Sequence, residues 1–434
     1  MKGLKIVVIG GGSSYTPELV EGIILHKDTL PVTEIVLIDV PMGEEKVQIN
    51  TALTKRMLEK EKLPIQASYT LDRKKGLENA DFVMTQLRVG GLAARAKDEA
   101  IPLKYGVIGQ ETTGPGGLFK ALRTIPVLLD ICKDMEEVCP DAWLINFTNP
   151  AGIVTEAINK YSRIKTLGLC NVSINMQHDA AERIGVDAKR LNCRFAGLNH
   201  LTVMTSAVYE GEERLPEILK IREEGGIVKN ITKLDGQDQL GEKMGVMLSP
   251  YMQYFYFEKQ MLEEELENLE SGKGTRAMQV KEVESTLFEE YKHKELNHKP
   301  EKLSKRGGAR YSEAAISLIN SIYNDTGDIQ VVNAVNGRTF PELPEDASIE
   351  INCIINSRGA KPVEGISLPE MLKGLVIQVK TYERLAIKAA ISGDRDTAFL
   401  ALINNPLVHD AVDAEKILDE LLEAHKEYLP IFWK

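Results

Sequence analysis

Apolar residues in the first 170 positions fall in short unbroken runs, separated by stretches with helical spacing. Leu4-Lys5-Ile6-Val7-Val8-Ile9 is the first run, rich in β-branched residues, and it stops at glycines. Thr16-Pro17-Glu18 follows, with an N-cap candidate, a proline suited to a first helical turn and an early carboxylate. Glu34-Ile35-Val36-Leu37-Ile38-Asp39 is a second run closing on an acid. Further strands are expected at 65–69, 82–87, 142–147 and 165–169. Phe119, Leu122, Ile125, Leu129, Cys132 and Val138 mark a long helix ahead of 142–147. Such an alternation implies parallel strands with helices on both faces. After about residue 195 the pattern loosens into short strands, 201–208 among them, and then mostly helical sequence. The charged stretch 258–305 reads as a solvated helix face, acidic first and lysine-rich later. A last helix, 413–428, places Ile417, Leu418, Leu421 and Leu422 on one side.

Glycines sharpen the first part of this picture. Gly10-Gly11-Gly12-Ser13 lies between a strand and a helix, where the backbone approaches a pyrophosphate and the helix N-terminus offers N–H donors. Asp39, at the end of the next strand, stands where an acceptor for ribose hydroxyls belongs, and an acid favours NAD over its 2′-phosphorylated form. Tyr15 replaces the third glycine of the usual fingerprint. The expected fold class is α/β: an N-terminal Rossmann-like doubly wound parallel sheet over residues 1–170, binding NAD. A C-terminal mixed, largely helical α+β part is expected over 171–434.

Charge and cysteine content narrow the function classes. Lys plus Arg number 53 and Asp plus Glu 64 in 434 residues, a net charge of −11, which argues against a nucleic-acid or anionic-membrane binder. No apolar run approaches a spanning helix, and the N-terminal run leads into a helix start instead of a cleavage site. Five scattered cysteines make no disulfide framework, so the expected compartment is the cytoplasm. Cys132 and Cys139 read as helix packing, while Cys193 and Cys353 take no assignment.

Cys170 and His200 each stand just past an apolar run with a Gly-Leu step, in Gly168-Leu169-Cys170-Asn171 and Gly197-Leu198-Asn199-His200. A thiolate and an imidazole suit a divalent transition metal, and a buried thiol beside a hydrogen-bonded histidine is the plainer alternative. Arg88, Arg95, the run Gly109-Gln110-Glu111-Thr112-Thr113 and the run Asn146-Phe147-Thr148-Asn149-Pro150 are polar residues that a core does not require. Arg276 and Lys305-Arg306-Gly307-Gly308 are basic candidates for an anionic ligand.

Taken together, the segments VIGGGSSYTPEL, IPLKYGVIGQETTGPGG, NFTNP, GLCN, GLNH and SPYMQYFYFEK resemble glycoside hydrolase family 4, the NAD- and metal-dependent glycosidases. The likeness runs through TYERLAIKAAISGDRDTAFLALINNPLV and so covers nearly the whole chain. It implies Cys170 and His200 as metal ligands, Tyr251 as catalytic base, and Asn149 and Arg95 as substrate contacts. It also implies Glu111 close to the tyrosine and Arg276 reading a sugar phosphate. Asn171, where members acting on 6-phospho-α-glucosides tend to have an acid, points to the 6-phospho-β-glucosidase branch. Ser173 and Gln253 depart from residues common in the family, proline and arginine respectively.

The implied chemistry differs from the usual pair of carboxylates. NAD oxidises C3, Tyr251 removes the acidified C2 proton, a metal, Mn²⁺ for preference, stabilises the enediolate, and the aglycone leaves by elimination. Water then adds and the retained NADH restores C3. A free tyrosine titrates near ~10, so a base at neutral pH requires roughly 4 kcal/mol of phenolate stabilisation. The implied substrate is a phosphorylated disaccharide or aryl glucoside, and the implied assembly a homodimer or homotetramer. A hydroxy-acid dehydrogenase on a similar fold is the competing expectation.

Overall fold

The computed structural model describes residues 3–222, 234, 236–306 and 310–434. Its strands are β1 (Leu4–Ile9), β2 (Val32–Ile38), β3 (Gln66–Thr70), β4 (Phe82–Thr85), β5 (Trp143–Asn146) and β6 (Lys165–Gly168). There follow β7 (Leu191–Leu198), β8 (Leu201–Tyr209), β9 (Glu212–Glu213), β10 (Met247–Leu248), β11 (Asp328–Val335), β12 (Ser348–Asn356) and β13 (Gly359–Pro362). All belong to one sheet with the order β10-β8-β7-β12-β11-β6-β5-β4-β1-β2-β3, β13 pairing with β12 and β9 with β8.

The stretch β3-β2-β1-β4-β5-β6 is parallel throughout. That is the doubly wound order, whose crevice opens beyond the carboxyl ends of β1 and β4. The unbroken apolar runs explain why both faces are covered. Within β1 and β2, Ile6, Val8, Ile35 and Leu37 enter one buried cluster, while Val7, Ile9, Val36 and Ile38 enter another. Burying each such side chain is worth ~1.5–3 kcal/mol.

Beyond β6 the sheet continues antiparallel through β11, β12, β7 and β8. One row of cross-strand partners, Gly168, Asn333, Glu350 and Gly197, ties these strands together. Cys170 lies two residues past the first of that row and Asn199 two past the last. The row is how residues thirty positions apart come to share a neighbourhood.

The long helix is Gly114–Val138, and Phe119, Leu122, Ile125 and Cys132 are buried on it as the spacing predicts. Against it pack the C-terminal helices Lys373–Ser392, Arg395–Asn404 and Ala411–Ala424, whose Tyr382, Ala386, Leu402, Ile417 and Leu421 join the same cluster as Val7 and Val83. The last of these ends at Ala424, four residues earlier than the periodicity suggests, and a short turn of 3₁₀ helix takes over at Lys426–Tyr428. His425, at this break, is fully buried with Nε2 2.9 Å from Asp98, whose carboxylate also holds Arg123.

The stretch 258–305 forms the helices Glu258–Glu270 and Arg276–Tyr291, and it is more than a solvated face. Met261, Val280, Leu287, Phe288 and Tyr291 are buried, and the Tyr291 hydroxyl donates to the Ser14 carbonyl at 2.8 Å beside the glycine loop. Of the basic candidates at 305–308, Gly307 and Gly308 lie outside the described residues. Among the described residues, no helix is long and apolar enough to cross a membrane.

Candidate active site

The glycine loop turns sharply out of β1. Gly10 has φ +85°, and a Cβ there would meet the Gln86 backbone at 2.9 Å. Its conformation and its contact both require glycine. Asn50 donates to the carbonyls of Gly11 (2.7 Å) and Ser13 (2.8 Å), and Thr16 to that of Gly11 (2.9 Å). These bonds hold the carbonyls and hand the loop directly to helix Thr16–Leu25. The Asp39 carboxylate accepts the Gly12 N–H at 2.6 Å and the Val40 N–H at 2.8 Å. A Cβ on Gly12 would lie 2.7 Å from that carboxylate. The loop, the helix start and the acid therefore fit a dinucleotide, with Gly10–Ser13 toward pyrophosphate and Asp39 toward ribose.

A second cluster surrounds Glu111. Its carboxylate is salt-bridged to Arg88, to Arg95 at 2.8 Å and to Lys120 at 2.6 Å. Although burial alone would raise its pKa, the three cations hold Glu111 well below the carboxylate range. Burial and the neighbouring guanidinium of Arg88 push Lys120 down to about 7. Arg95 donates a further bond from Nε to Glu99 at 2.6 Å, and its charge interacts with Tyr251. Glu99 also accepts the N–H of Ala277 at 2.7 Å, at the start of helix Arg276–Tyr291. Arg276, next to Ala277, donates to Gln279 at 3.3 Å.

Tyr251 stacks on His200, with ring centroids 3.7 Å apart and planes within 4°. His200 has φ +64° at the turn between β7 and β8, and its Nδ1 lies 2.9 Å from Thr112 Oγ1. Burial pushes His200 down to about 3, so the imidazole is neutral. Cys170 is buried, which pushes its thiol up. It receives hydrogen bonds from the Asn199 side chain and from the backbone of Asn171 and Val172. Asn199 donates as well to Glu350 at 2.9 Å, a carboxylate that burial pushes up to about 7. A neutral imidazole and a buried thiol already aimed at by N–H donors fit a divalent transition-metal cation, whose charge would favour the thiolate. Asn171 is buried at the N-cap of helix Val172–Arg183, and Asn149, on the loop after β5, accepts the Ala151 N–H at 3.3 Å.

The structure thus joins Glu111, Arg95, Tyr251 and His200 in one contact chain and puts Cys170 against the Asn199 side chain, with Asn171 next along the backbone. Asn149 and the glycine loop lie at the same carboxyl edge of the sheet, after β5 and β1, with β4 between those strands. Lys120, Glu99 and Glu350 are additions that sequence reasoning missed. The available signals were a lysine between Phe119 and Leu122 on a buried helix face, and an acid inside the apolar run Ser348–Asn356.

Glu265 is a further acid, largely buried on helix Glu258–Glu270, accepting the Gly109 N–H at 2.8 Å just ahead of Glu111. Burial pushes its pKa up from 4.5 to about 8. The folded chain then holds a proton that the unfolded chain has released. Its contribution is complete below pH 4.5 and is lost as pH rises through 8. Glu265→Gln keeps the acceptor and removes the titration. Thermal midpoints are expected to match the parent near about pH 5 and to exceed it by several degrees near about pH 9. Parallel pH profiles for the two proteins would refute this.

Fold and site together define an α/β enzyme class with a dinucleotide crevice, a buried thiol, a neutral buried imidazole and a tyrosine stacked on that imidazole. Sequence comparison agrees: Family 4 glycosyl hydrolase matches residues 5–186, and Family 4 glycosyl hydrolase C-terminal domain matches residues 195–408. The chain belongs to glycosyl hydrolase family 4. It is 52% identical, over 100% of this chain and 98% of the relative, to a Bacillus subtilis (strain 168) protein named probable 6-phospho-beta-glucosidase. It is 43% identical to the 6-phospho-beta-glucosidase of Escherichia coli (strain K12), over 99% of this chain and 97% of that one. The crystal structure of the Thermotoga maritima 6-phospho-beta glucosidase with manganese, NAD+ and glucose-6-phosphate superposes with a TM-score of 0.88 at 34% identity. That match covers 98% of this chain and 99% of the other.

Proposed function

We propose that this chain hydrolyses 6-phospho-β-glucosides by transient oxidation at C3 of the sugar, using NAD and a divalent cation, Mn²⁺ for preference. The stacking of Tyr251 on His200, with Arg95 interacting with the same tyrosine, carries the reading. In this reading a base, a cation ligand and a fixed positive charge share one contact chain. NAD would take the C3 hydride and return it at the end of each cycle. A divalent cation held by Cys170 and His200 would stabilise the charge developing as C2 loses its proton.

The remaining work falls to side chains. Tyr251, as phenolate, takes the C2 proton, and Arg95 favours that phenolate electrostatically. Glu111 keeps Arg95 oriented, and Arg276, with Asn149, serves substrate recognition, the arginine toward the phosphate. Asn171 supplies no acidic proton beside the leaving group, in keeping with a β-linked substrate and expulsion of the aglycone by elimination. All five thiols are buried and unpaired, which suits the reducing cytoplasm.

The test offers a 6-phospho-β-glucoside and its α-anomer, each with and without NAD and Mn²⁺, while following the aglycone and nicotinamide absorbance. Release is expected from the β-anomer with both cofactors and without net NADH. NADH accumulating in step with product would instead indicate a dehydrogenase, and release without NAD would refute the oxidative route.

A further inference from the structure

We infer that Gln110 and Thr112 form a relay that sets the tautomer of His200, presenting its Nε2 lone pair to the cation site. The inference rests on the proposed role of His200 as a ligand, and it makes Gln110 and Thr112 positioning residues.

The hydrogen bonds around Gln110 and Thr112 account for every proton. One atom of the Gln110 amide accepts the backbone N–H of Thr112 and, at 3.0 Å, that of Thr113. Two N–H donors identify that atom as the carbonyl oxygen, with no freedom to flip the amide. The same oxygen lies 2.7 Å from Thr112 Oγ1, so the Thr112 hydroxyl proton points at it. A hydroxyl has one proton. Once it is given to Gln110, Oγ1 can only accept from its other partner, His200 Nδ1 at 2.9 Å. His200 therefore carries its proton on Nδ1 and a lone pair on Nε2. The opposite tautomer would set two lone pairs against each other at that distance.

Three features make the relay rigid. Gln110, Thr112, Thr113 and His200 are all buried, so water offers no substitute partners. The Gln110 side chain also hydrogen-bonds the Tyr254 hydroxyl, anchoring its far end. Helix Gly114–Val138 presses on the loop from below. A Cβ on Gly116 would lie 2.4 Å from the Gln110 carbonyl, and one on Gly117 2.5 Å from Thr112. Stacking of Tyr251 on the imidazole resists the ring flip that would exchange its nitrogen and carbon positions. A metal-bound histidine depends on the partner of its other nitrogen for orientation and basicity. Here that partner is committed before any cation arrives.

The test uses the full chain with selectively ¹⁵N-labelled histidine. In the metal-free protein, His200 is expected to show a protonated Nδ1 and an unprotonated Nε2. Thr112→Val removes the acceptor at nearly constant volume. It is expected to lose that preference and to weaken Mn²⁺ binding, read as free Mn²⁺ by electron paramagnetic resonance, by ~10–100-fold. Thr112→Ser should restore both, and NAD affinity should be the same in all three proteins. A protonated Nε2 in the parent, or parental Mn²⁺ affinity in Thr112→Val, would overturn the relay. Failure of the parent to bind Mn²⁺ would instead overturn the ligand role of His200, and the nitrogen spectrum decides the tautomer independently of that result.

Discussion

Tyr251→Phe should cut turnover by about 10³-fold, within the ~10²–10⁴ range for loss of a positioned general base. The phenylalanine ring keeps the stacking on His200 and the contacts with Tyr254, so the change is confined to one hydroxyl. NAD affinity should be unaltered, because the glycine loop and Asp39 belong to other elements. The decisive readout is exchange of the substrate C2 hydrogen with deuterated water. It should vanish with turnover, and undiminished exchange in the variant would remove Tyr251 from the role of base.

Glu111→Gln should destabilise the fold by about 3–5 kcal/mol, the usual cost of taking one partner from a buried ionic cluster. Arg88, Arg95 and Lys120 all converge on this carboxylate, and among the described residues Arg95 alone of the three is also paired with a second acid, Glu99, at 2.6 Å. The amide cannot balance the buried charges that remain. A second substitution, Lys120→Met, removes one of them and should recover part of the loss in a denaturant midpoint. The cluster also holds Arg95 toward Tyr251, so activity should fall beyond what the unfolded fraction accounts for. Parental stability in Glu111→Gln would show that the cluster is solvated, contrary to its burial.

Much of the N-terminal architecture is legible in the sequence because its signals are local. Unbroken β-branched runs such as Leu4–Ile9 mark strands covered on both faces, and Thr16-Pro17-Glu18 marks a helix start. The charged stretch from residue 258 misled for the opposite reason. Mean polarity reports the outer face of a helix, while Met261, Glu265 and Tyr291 face inward through contacts with distant parts of the chain. β8 (Leu201–Tyr209) starts where the expected strand 201–208 starts and runs one residue further, whereas β11 and β12 carry Asn333, Glu350 and Asn352 at buried positions and so give no clean strand signal.

The residue types of the site were visible as motifs, and a resemblance to a family supplied roles that spacing alone could not. Lys120 and Glu350 escaped because a single charged residue in an apolar stretch reads as a boundary until burial is known. The tautomer of His200 was equally out of reach, since it depends on where one hydroxyl proton goes among residues 110, 112 and 200.

By itself the sequence determined a doubly wound α/β start, a glycine loop closing on Asp39, and a scattered set of reactive side chains under a net charge of −11. Only the tertiary structure decided that a Gly168–Asn333–Glu350–Gly197 row brings the Cys170 and His200 segments together, and that three cations gather on Glu111. Strands and caps follow from neighbours a few residues apart. The electrostatics of a buried site are set by groups far apart in sequence that meet where water has been excluded.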